Sequence, residues 1–525
     1  MLKLFQKSNS HKIVLLAAFI VVVSMGVLLF FNPPAVFPDP GMGFQVLRSM
    51  QFGAPFNTLI CPAQSDISQN YSQFLTWWSP GQYLVPYLFK FGSFFNTGEA
   101  VAITVTICQV IGLAGFYFFF KKIGFTVFIS ALSLMFIICQ QAFVVPYVFY
   151  NGGEILLFAF EGWFLYGCAA LKKPGLVLVL FVLFSGWGGF FCKSSFLWTY
   201  VAGLCCLWLR LSSNGPGIVN RIKTALWLSV PGAISLAGIY IFFLSKGDSP
   251  ASVSHGLKFT LQTVGFPMAS PILSGFSVDD MLHGLIFHTG QPIFDPAWSI
   301  VILVAVAVLN LLLIVGIIRY VPNENYRLFI LVFYVAAILF FGLTYLRQLT
   351  ISYEARHFRI LGILIVPGIF YWVSRIKVAY QLFFTLICTG IAVTSFCYLV
   401  KGYQHNKTST AKGITGLSQS RIDQPSLNYI MKLDRENRDA VFVFIGDDTG
   451  LEIMHNRIIT LQPIGADLKI DADDYRYEGH AGLLYIVLPE SYNGPREKMI
   501  MRSFPGYKGF NESMLSGNYV LYSAK

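Results

Sequence analysis

Long apolar runs, separated by short polar stretches, dominate the chain from Ile13 to Val400. A helix needs about 20 apolar residues to cross a hydrocarbon core of about 30 Å, and the runs match that length. Several runs are short or contain Gly and Pro, so the number of helices is approximate. We predict about eleven transmembrane helices, at residues 13–31, 99–120, 123–145, 153–171, 175–191, 195–211, 224–244, 297–318, 328–346, 359–375 and 379–400.

The pattern changes after residue 400. Residues 401–419 are polar and predict a linker, and residues 420–525 predict a small α/β domain. Within that domain, runs rich in β-branched and aromatic residues predict strands, and one amphipathic run predicts a helix. The strands are predicted at 440–446, 483–489 and 518–524, and the helix at 493–504. The chain therefore divides into a membrane part (1–400, with a first outer loop at 32–98), a linker and a soluble domain.

One acidic pair in the C-terminal domain follows a predicted strand directly. Asp447 and Asp448 come before Thr449 and Gly450, where we expect the chain to turn into a short helix. Acids at the end of a strand can bind a ligand. More often they cap the helix that follows, and we favour that interpretation.

The composition agrees with a membrane protein. Of the 525 residues, 55% are hydrophobic and only 12% are charged, and the mean hydropathy is +0.62. A basic leader precedes the first apolar run, which fits either a cleaved signal peptide or a retained anchor. We predict an anchor, because the run is long and no clear small-x-small cleavage site precedes the Pro-rich stretch after it.

The distribution of charge predicts the orientation. The net charge is +11, and it lies in the membrane part because acidic and basic residues balance from residue 401 onwards. Basic residues concentrate at the N-terminus and in five short loops, which the positive-inside rule assigns to the cytoplasm. Those loops contain Lys121–Lys122, Lys172–Lys173, Arg210 to Lys223, Arg319 to Arg327 and Arg375–Lys377. Alternation through eleven helices then places the C-terminal domain outside. The basic charge thus reflects topology, and we expect no nucleic-acid partner.

Several ionisable residues lie at the predicted outer ends of helices. Such groups are costly at membrane depth, so they usually face a cavity or a partner. Arginine and lysine recognise phosphate, and a carboxylate can accept the proton of an attacking hydroxyl. This combination fits transfer of a sugar from a lipid phosphate. The residues are Asp39, Glu154, Lys193, Glu354, Arg356 and Arg359.

Each of these residues also has a purely structural interpretation. Lys193 and Arg359 can extend from the helix ends to the interface. Glu154 can cap the fourth helix, and Asp39, beside two prolines, can be a turn residue. The first outer loop also holds Trp77, Trp78 and Tyr83, and such aromatic residues are enriched in interface belts.

The chain resembles the GT-C glycosyltransferases, in particular the branch of protein O-mannosyltransferases and lipid A aminoarabinose transferases. The likeness lies in the first outer loop, in a Lys-containing turn and in a motif that enters a late helix. The matching residues are Asp39, Arg48, Gly53 and Ser79–Tyr83, then FFCKSSFLW (190–198) around Lys193, then ARHFRILGILIVP (355–367). Pro40 stands where the family has a second acid, and Asp66 or Glu154 could supply that carboxylate.

The resemblance implies a multi-pass α-helical membrane protein of the GT-C type with a small C-terminal α/β extracytoplasmic domain. It implies a bacterial-type inner membrane, a polyprenyl-phosphate-linked sugar donor, and a glycan, lipid or protein acceptor. Asp39 would be the general base, and Lys193, Arg356 and Arg359 would bind the donor phosphate. The substrate cavity would include Arg48, Asp66, Trp77, Trp78, Tyr83, Glu154, Glu354 and His357.

Two other functions remain open from the sequence. A transporter or flippase of lipid-linked saccharides would also need outward acids, although it would need polar residues at mid-helix too, where Glu161 is nearly alone. A non-catalytic membrane scaffold would only present residues 420–525. A divalent cation is possible, and the sequence names neither the sugar nor the acceptor.

Overall fold

The computed structural model describes residues 10–213, 217–247, 253–465, 467–468 and 473–525. Helices account for most of these residues. The α-helices are Ser10–Phe31, Pro38–Gln51, Gly81–Lys90, Thr97–Lys122, Val127–Ile138, Gln141–Val148, Gly153–Ala170, Leu176–Cys192, Phe196–Ser212, Ile218–Phe242, Leu261–Gly275, Val278–Met281, Pro296–Tyr320, Glu324–Leu346, Arg359–Val373, Val378–Ser409, Gln424–Glu436 and Pro495–Arg502.

In the part of the chain described above, eight helices are long and apolar enough to cross a membrane. Helices Val127–Ile138 and Gln141–Val148 form a ninth candidate if the pair, bent by 48°, is one span. Two shorter apolar helices, Leu176–Cys192 and Phe196–Ser212, match the remaining predicted runs. The multi-pass helical class is therefore confirmed, and eleven crossings stay a prediction.

The contacts divide the chain into two compact units. The first consists of the residues up to Val27 together with Val105–Pro146 and Gly153–Lys401. The second consists of Leu28–Thr104, Tyr147–Gly152 and Gly402–Lys525. The first outer loop thus belongs to the same unit as the C-terminal part of the chain. That residues 1–400 and 420–525 form independent domains stays a prediction.

The first unit contains a largely buried helix, Leu261–Gly275, that lies outside the eleven predicted runs. Helix Leu261–Gly275 packs against Pro296–Tyr320, Glu324–Leu346 and Arg359–Val373. A capping box begins it: Thr260 and Thr263 each accept a hydrogen bond from the other's backbone N–H, at 3.4 and 3.1 Å.

That buried helix ends in a very close contact. A Cβ atom on Gly275 would lie 3.0 Å from the Cα of Gly362, and one on Gly362 would lie 2.5 Å from the backbone nitrogen of Gly275. The Ser274 hydroxyl donates to the carbonyl of Phe358 at 3.1 Å. These contacts fix the buried helix against the beginning of helix Arg359–Val373.

The second unit has a five-stranded sheet as its main element. The strands of the whole chain are β1 Ala35–Val36, β2 Thr58–Ala63, β3 Asp66–Phe74, β4 Phe149–Tyr150, β5 Ala411–Lys412, β6 Ser418–Gln419, β7 Ala440–Ile445, β8 Arg457–Leu461, β9 Leu483–Pro489, β10 Asn511–Met514 and β11 Tyr519–Ala524. The order in the main sheet is β10-β11-β9-β7-β8, in which β7 runs parallel to both β8 and β9. All six residues of β7 are buried, as expected for a central strand.

The α/β character of residues 420–525 is confirmed, and the three predicted strands and the predicted helix are present. The expected short helix after Asp448 is wrong, because residues 446–452 form turns that lead to β8. The linker interpretation is also corrected in part. The last apolar helix continues to Ser409, and β5 and β6 join β1 and β4 in a four-stranded sheet.

Candidate functional site

A buried carboxylate, Glu154, forms the centre of the candidate site in the first unit. Glu154 lies in the first turn of helix Gly153–Ala170, and only 7% of its side chain is exposed. The Lys193 ammonium donates to its Oε1 at 2.5 Å, and the Arg356 guanidinium reaches the same oxygen at 3.4 Å. Three residues from distant parts of the sequence thus meet, and Glu154 pairs with two cations rather than acting only as a helix cap.

The two cations are held at the ends of helices. Lys193 directly follows helix Leu176–Cys192, and its backbone N–H donates to the Gly189 carbonyl at 2.9 Å. Arg356 lies in a short 3-10 turn before helix Arg359–Val373. Its Nε donates to Glu354 at 3.0 Å, so Arg356 bridges two carboxylates.

His357 and Arg359 line the same cavity as Glu154, Lys193 and Arg356. The Nε2 of His357 lies 3.5 Å from the Ser352 hydroxyl, which donates to Glu354. Arg359 forms no salt bridge within the described ranges, although it lies close enough to Glu154 and Asp280 for their charges to interact.

The cavity beside these residues extends along helix Gly153–Ala170. Its volume is about 60 Å³, well below the range of about 300–1,000 Å³ for usual ligand pockets. A sugar phosphate therefore requires the lining side chains to separate.

Glu161 lies two helical turns beyond Glu154, and Gln109, Gln140 and Thr199 also line this deeper part of the cavity. The sequence analysis noted Glu161 only as a polar residue at mid-helix, although its seven-residue spacing from Glu154 could have indicated a shared face.

Asp279 holds the turn that carries Arg356. Its two carboxylate oxygens accept from the backbone N–H groups of Leu285 and Ala355, each at 2.9 Å. Burial raises the pKa of Asp279 to about 6, although these two hydrogen bonds oppose the shift. Burial also raises the pKa of Asp280, and nearby Arg359 opposes it. Neither acid was among the candidate residues that the sequence indicated.

Two predicted residues of the first outer loop lie in structural positions in the second unit. Asp39 is half-buried in the first turn of helix Pro38–Gln51, where its charge is favourable to the helix dipole. Its backbone carbonyl accepts from the Gln82 amide at 3.4 Å. Tyr83 is fully buried, and its hydroxyl donates to Asn57 at 2.7 Å. Their predicted roles in catalysis and in the cavity stay predictions.

Arg48, predicted for the substrate cavity, binds backbone carbonyls in the second unit. Its Nε and Nη2 donate to Ile453 and Asn456, at 2.5 and 2.6 Å. Burial lowers the pKa of Arg48, and nearby Asp434 opposes that shift. These contacts join helix Pro38–Gln51 to the turn before β8 and give Arg48 a structural function.

The remaining predicted cavity residues lie in exposed or irregular segments. Asp66 begins β3, where its carboxylate accepts from the Ser68 N–H at 3.0 Å. Hydrogen bonds from the Ser68 side chain and backbone lower the pKa of Asp66. Trp77 and Trp78 are half-buried between β3 and helix Gly81–Lys90. A role for them in substrate binding stays a prediction. No group of three or more His, Cys, Asp or Glu side chains with metal-binding geometry occurs in the segments that the structure describes.

The site has the chemistry of an anion-binding cavity. Lys193, Arg356 and Arg359 supply cationic donors, and two of them are held in place by a carboxylate. A phosphate that enters can take over hydrogen bonds that Glu154 now accepts. Such charge-assisted bonds are about twice as strong as neutral ones.

No family model and no curated protein matches the chain. Solved structures do match, at low identity. The chain is similar to ArnT from Cupriavidus metallidurans bound to undecaprenyl phosphate, with a TM-score of 0.52, 10% identity and 98% of each chain covered. It is also similar to arabinofuranosyltransferase AftD from Mycobacteria, with a TM-score of 0.48, 12% identity, and 97% of this chain and 39% of that chain covered.

A third similar structure is the archaeal oligosaccharyltransferase AglB from Archaeoglobus fulgidus, in complex with an inhibitory peptide and a dolichol-phosphate. Its TM-score is 0.48 and its identity 12%, with 98% of this chain and 74% of that chain covered. The similarity to ArnT shows a shared fold. The GT-C fold that the sequence motifs predicted is thereby confirmed.

Proposed function

We propose that this chain is an integral membrane glycosyltransferase that moves a sugar from a polyprenyl-phosphate donor to an acceptor on the extracytoplasmic face. The observation that carries the proposal is the cluster of Glu154, Lys193 and Arg356 in a buried cavity. A cluster of cations at helix ends suits a lipid phosphate, because the phosphate of such a donor stays near the membrane surface. The likeness to ArnT bound to undecaprenyl phosphate supports the same ligand class.

In the proposed reaction, Lys193, Arg356 and Arg359 bind the donor phosphate. The acceptor hydroxyl oxygen attacks the anomeric carbon, and the bond from that carbon to the phosphate oxygen breaks. The electron pair stays on the departing polyprenyl phosphate, whose negative charge the three cations stabilise. Glu154 keeps Lys193 and Arg356 in position before the donor arrives.

The proton of the acceptor hydroxyl needs a base. Glu154 already pairs with two cations, which suits an organising role better than proton abstraction. We propose Asp39 as the base, on the strength of the resemblance to the GT-C first outer loop. Positioned carboxylates of this kind typically contribute a factor of about 10²–10⁴ to the rate.

The test is sugar transfer in membranes that contain Asp39→Asn, with Asp295→Asn as a matched exposed control. We expect Asp39→Asn to abolish transfer at normal protein level, whereas the control keeps it. Near-normal transfer by Asp39→Asn would remove Asp39 from the mechanism. Loss of transfer in both variants would point to an unspecific effect of charge.

One observation favours transport of a lipid-linked saccharide as a second candidate. Glu161 is a buried acid well inside helix Gly153–Ala170, and such groups often mark transport paths. Transport would move an intact donor across vesicles without releasing polyprenyl phosphate. Release of polyprenyl phosphate together with a glycosylated product would exclude transport as the sole activity.

A further inference from the structure

A second cavity, of about 320 Å³, lies within the main sheet unit. Ile445 at the end of β7, Pro463 just after β8 and Pro489 at the end of β9 all line it. Because these three strands are parallel, the cavity lies at their carboxyl edge. Open sheets with parallel strands bind their ligands at this edge.

The polar side of this cavity is formed by Arg421, with Ser420 and Thr449, and the buried Asp448 lies behind Arg421. The Nε of Arg421 lies 3.6 Å from Asp448, whose side chain is 1% exposed, whereas that of Arg421 is 43% exposed. Among the described residues, the buried amide of Gln419 has no hydrogen-bond partner. Burial raises the pKa of Asp448, and Arg421 and the Ser420 hydroxyl oppose that rise. Buried polar atoms without partners are uncommon and costly, so they mark a place where a ligand or water can bind.

The local charge favours a neutral ligand over an anion. Arg421 is the cation in the cavity lining, and Tyr519 lines the cavity too. Two acids, Asp423 and Asp448, lie close enough to Tyr519 to raise its pKa. Burial is the largest cause of that shift, which takes the pKa of Tyr519 to about 12. With two acids around one arginine, a phosphate or carboxylate would meet repulsion that a hydroxyl group would not.

The remaining walls are apolar and suit the C–H faces of a sugar ring. They are formed by Ile422, Phe444, Val487 and the ring of Tyr519. The volume is at the small end of the usual range for ligand pockets, about 300–1,000 Å³, and fits one or two sugar units. A saccharide offers acceptor oxygens for the Arg421 guanidinium and donors for the Ser420 and Thr449 hydroxyls, all three of which line the cavity.

We propose that this cavity binds a neutral saccharide, with Arg421 contacting its hydroxyl groups, Asp448 holding Arg421 in place and the apolar walls contacting the sugar ring. This would be a second saccharide site, built from residues that do not line the Glu154 cavity. Its existence does not depend on glycosyl transfer. If transfer is the function, the site would hold the acceptor glycan.

Binding can be measured on the full-length protein in nanodiscs, without any donor. The probes are methyl glycosides of glucose, galactose, mannose and arabinose, tested by saturation-transfer NMR and calorimetry. We expect saturable binding of at least one probe, weakened tenfold or more by Arg421→Ala and by Ser420→Trp, which would fill the rim. Lys432→Ala is the control, since it removes an exposed cation that pairs with Glu436 away from the cavity.

Three outcomes would overturn the proposal: no saturable binding of any probe, equal binding by the wild type and both cavity variants, or binding of inorganic phosphate in place of the glycosides. Thermal unfolding of each variant shows whether it is folded. Arg356→Ala should keep saccharide binding and lose transfer. Failure of this site can thereby be distinguished from failure of the proposed function.

Discussion

Glu154 and Lys193 form a hydrogen-bonded ion pair of 2.5 Å between two helices of the first unit, and both side chains are largely buried. Arg356 contacts the same carboxylate oxygen at 3.4 Å. Removing one partner of a buried ion pair leaves an uncompensated charge, which typically costs about 3–5 kcal/mol. The pair therefore supports both the stability of this unit and the geometry of the proposed phosphate site.

We expect Glu154→Gln to lower the free energy of unfolding by several kcal/mol, because Lys193 and Arg356 lose their shared carboxylate. The same variant should bind undecaprenyl phosphate more weakly than the wild type, because Lys193 and Arg356 lose the carboxylate that keeps them in position. Thermal unfolding and lipid-phosphate binding measure the two effects. Glu324→Gln, an exposed acid in the first turn of another helix, is the control. Unchanged or tighter phosphate binding by Glu154→Gln would contradict the organising role of Glu154.

Arg359→Ala should weaken binding of undecaprenyl phosphate by roughly 10- to 100-fold, because a hydrogen bond to a charged group contributes about 1.5–3 kcal/mol. Its effect on stability should be small, since Arg359 has no salt bridge in the described part of the chain. Arg319→Ala removes an exposed arginine from the same unit as a control. Unchanged binding by Arg359→Ala would exclude Arg359 from the phosphate site.

The Asp279 carboxylate should make stability depend on pH. Its pKa in the folded protein is about 6, above the usual value of about 4. The folded state therefore favours the protonated form, and this contribution to stability is fully present below about pH 4 and lost as pH rises through about 6. Asp279→Asn cannot titrate, so its stability relative to the wild type should increase over that window. Thermal unfolding from acidic to neutral pH measures this, with exposed Asp295→Asn as the control. A difference that does not change with pH would contradict the shift.

Only part of the fold and of the candidate site could be predicted from the sequence, and the structure explains why. Long apolar runs predict helices because that signal is local, and Lys193, Glu154 and Arg356 could be grouped because each lies at a helix end. Helix Leu261–Gly275 escaped prediction, because Pro267 and Pro271 interrupt its apolar pattern and only tertiary packing stabilises it.

Side-chain partners across long sequence distances could not be predicted either. Arg48 and the carbonyls of Ile453 and Asn456 are about 400 residues apart, and no local pattern indicates that they meet. The turn after Asp448 was predicted as a helix because acidic residues after a strand usually cap one. Here Asp448 is buried and Asp447 is half-buried, and desolvation raises the pKa of Asp447 to about 6.

Arg48→Ala should destabilise the second unit, because two backbone carbonyls lose their donors, at a cost of about 1–3 kcal/mol. Arg48→Lys should not restore stability, since a single ammonium lacks the planar fork that reaches both carbonyls. Limited proteolysis and thermal unfolding measure the effect, and Arg435→Ala, an exposed arginine in the same unit, is the control. Normal stability together with lost transfer would instead favour the predicted role of Arg48 in the substrate cavity.

The most direct test of the central claim is the release of polyprenyl phosphate by purified protein in nanodiscs. The protein is incubated with isotope-labelled undecaprenyl-phosphate sugars and a panel of acceptors, and the lipid and sugar products are identified by mass spectrometry. We predict that the wild type and Arg319→Ala release undecaprenyl phosphate and form a labelled glycoside, whereas Arg356→Ala forms neither. Product formation by Arg356→Ala at the wild-type rate, or no product from the wild type with any donor, would contradict the assignment of this cavity as the site of glycosyl transfer.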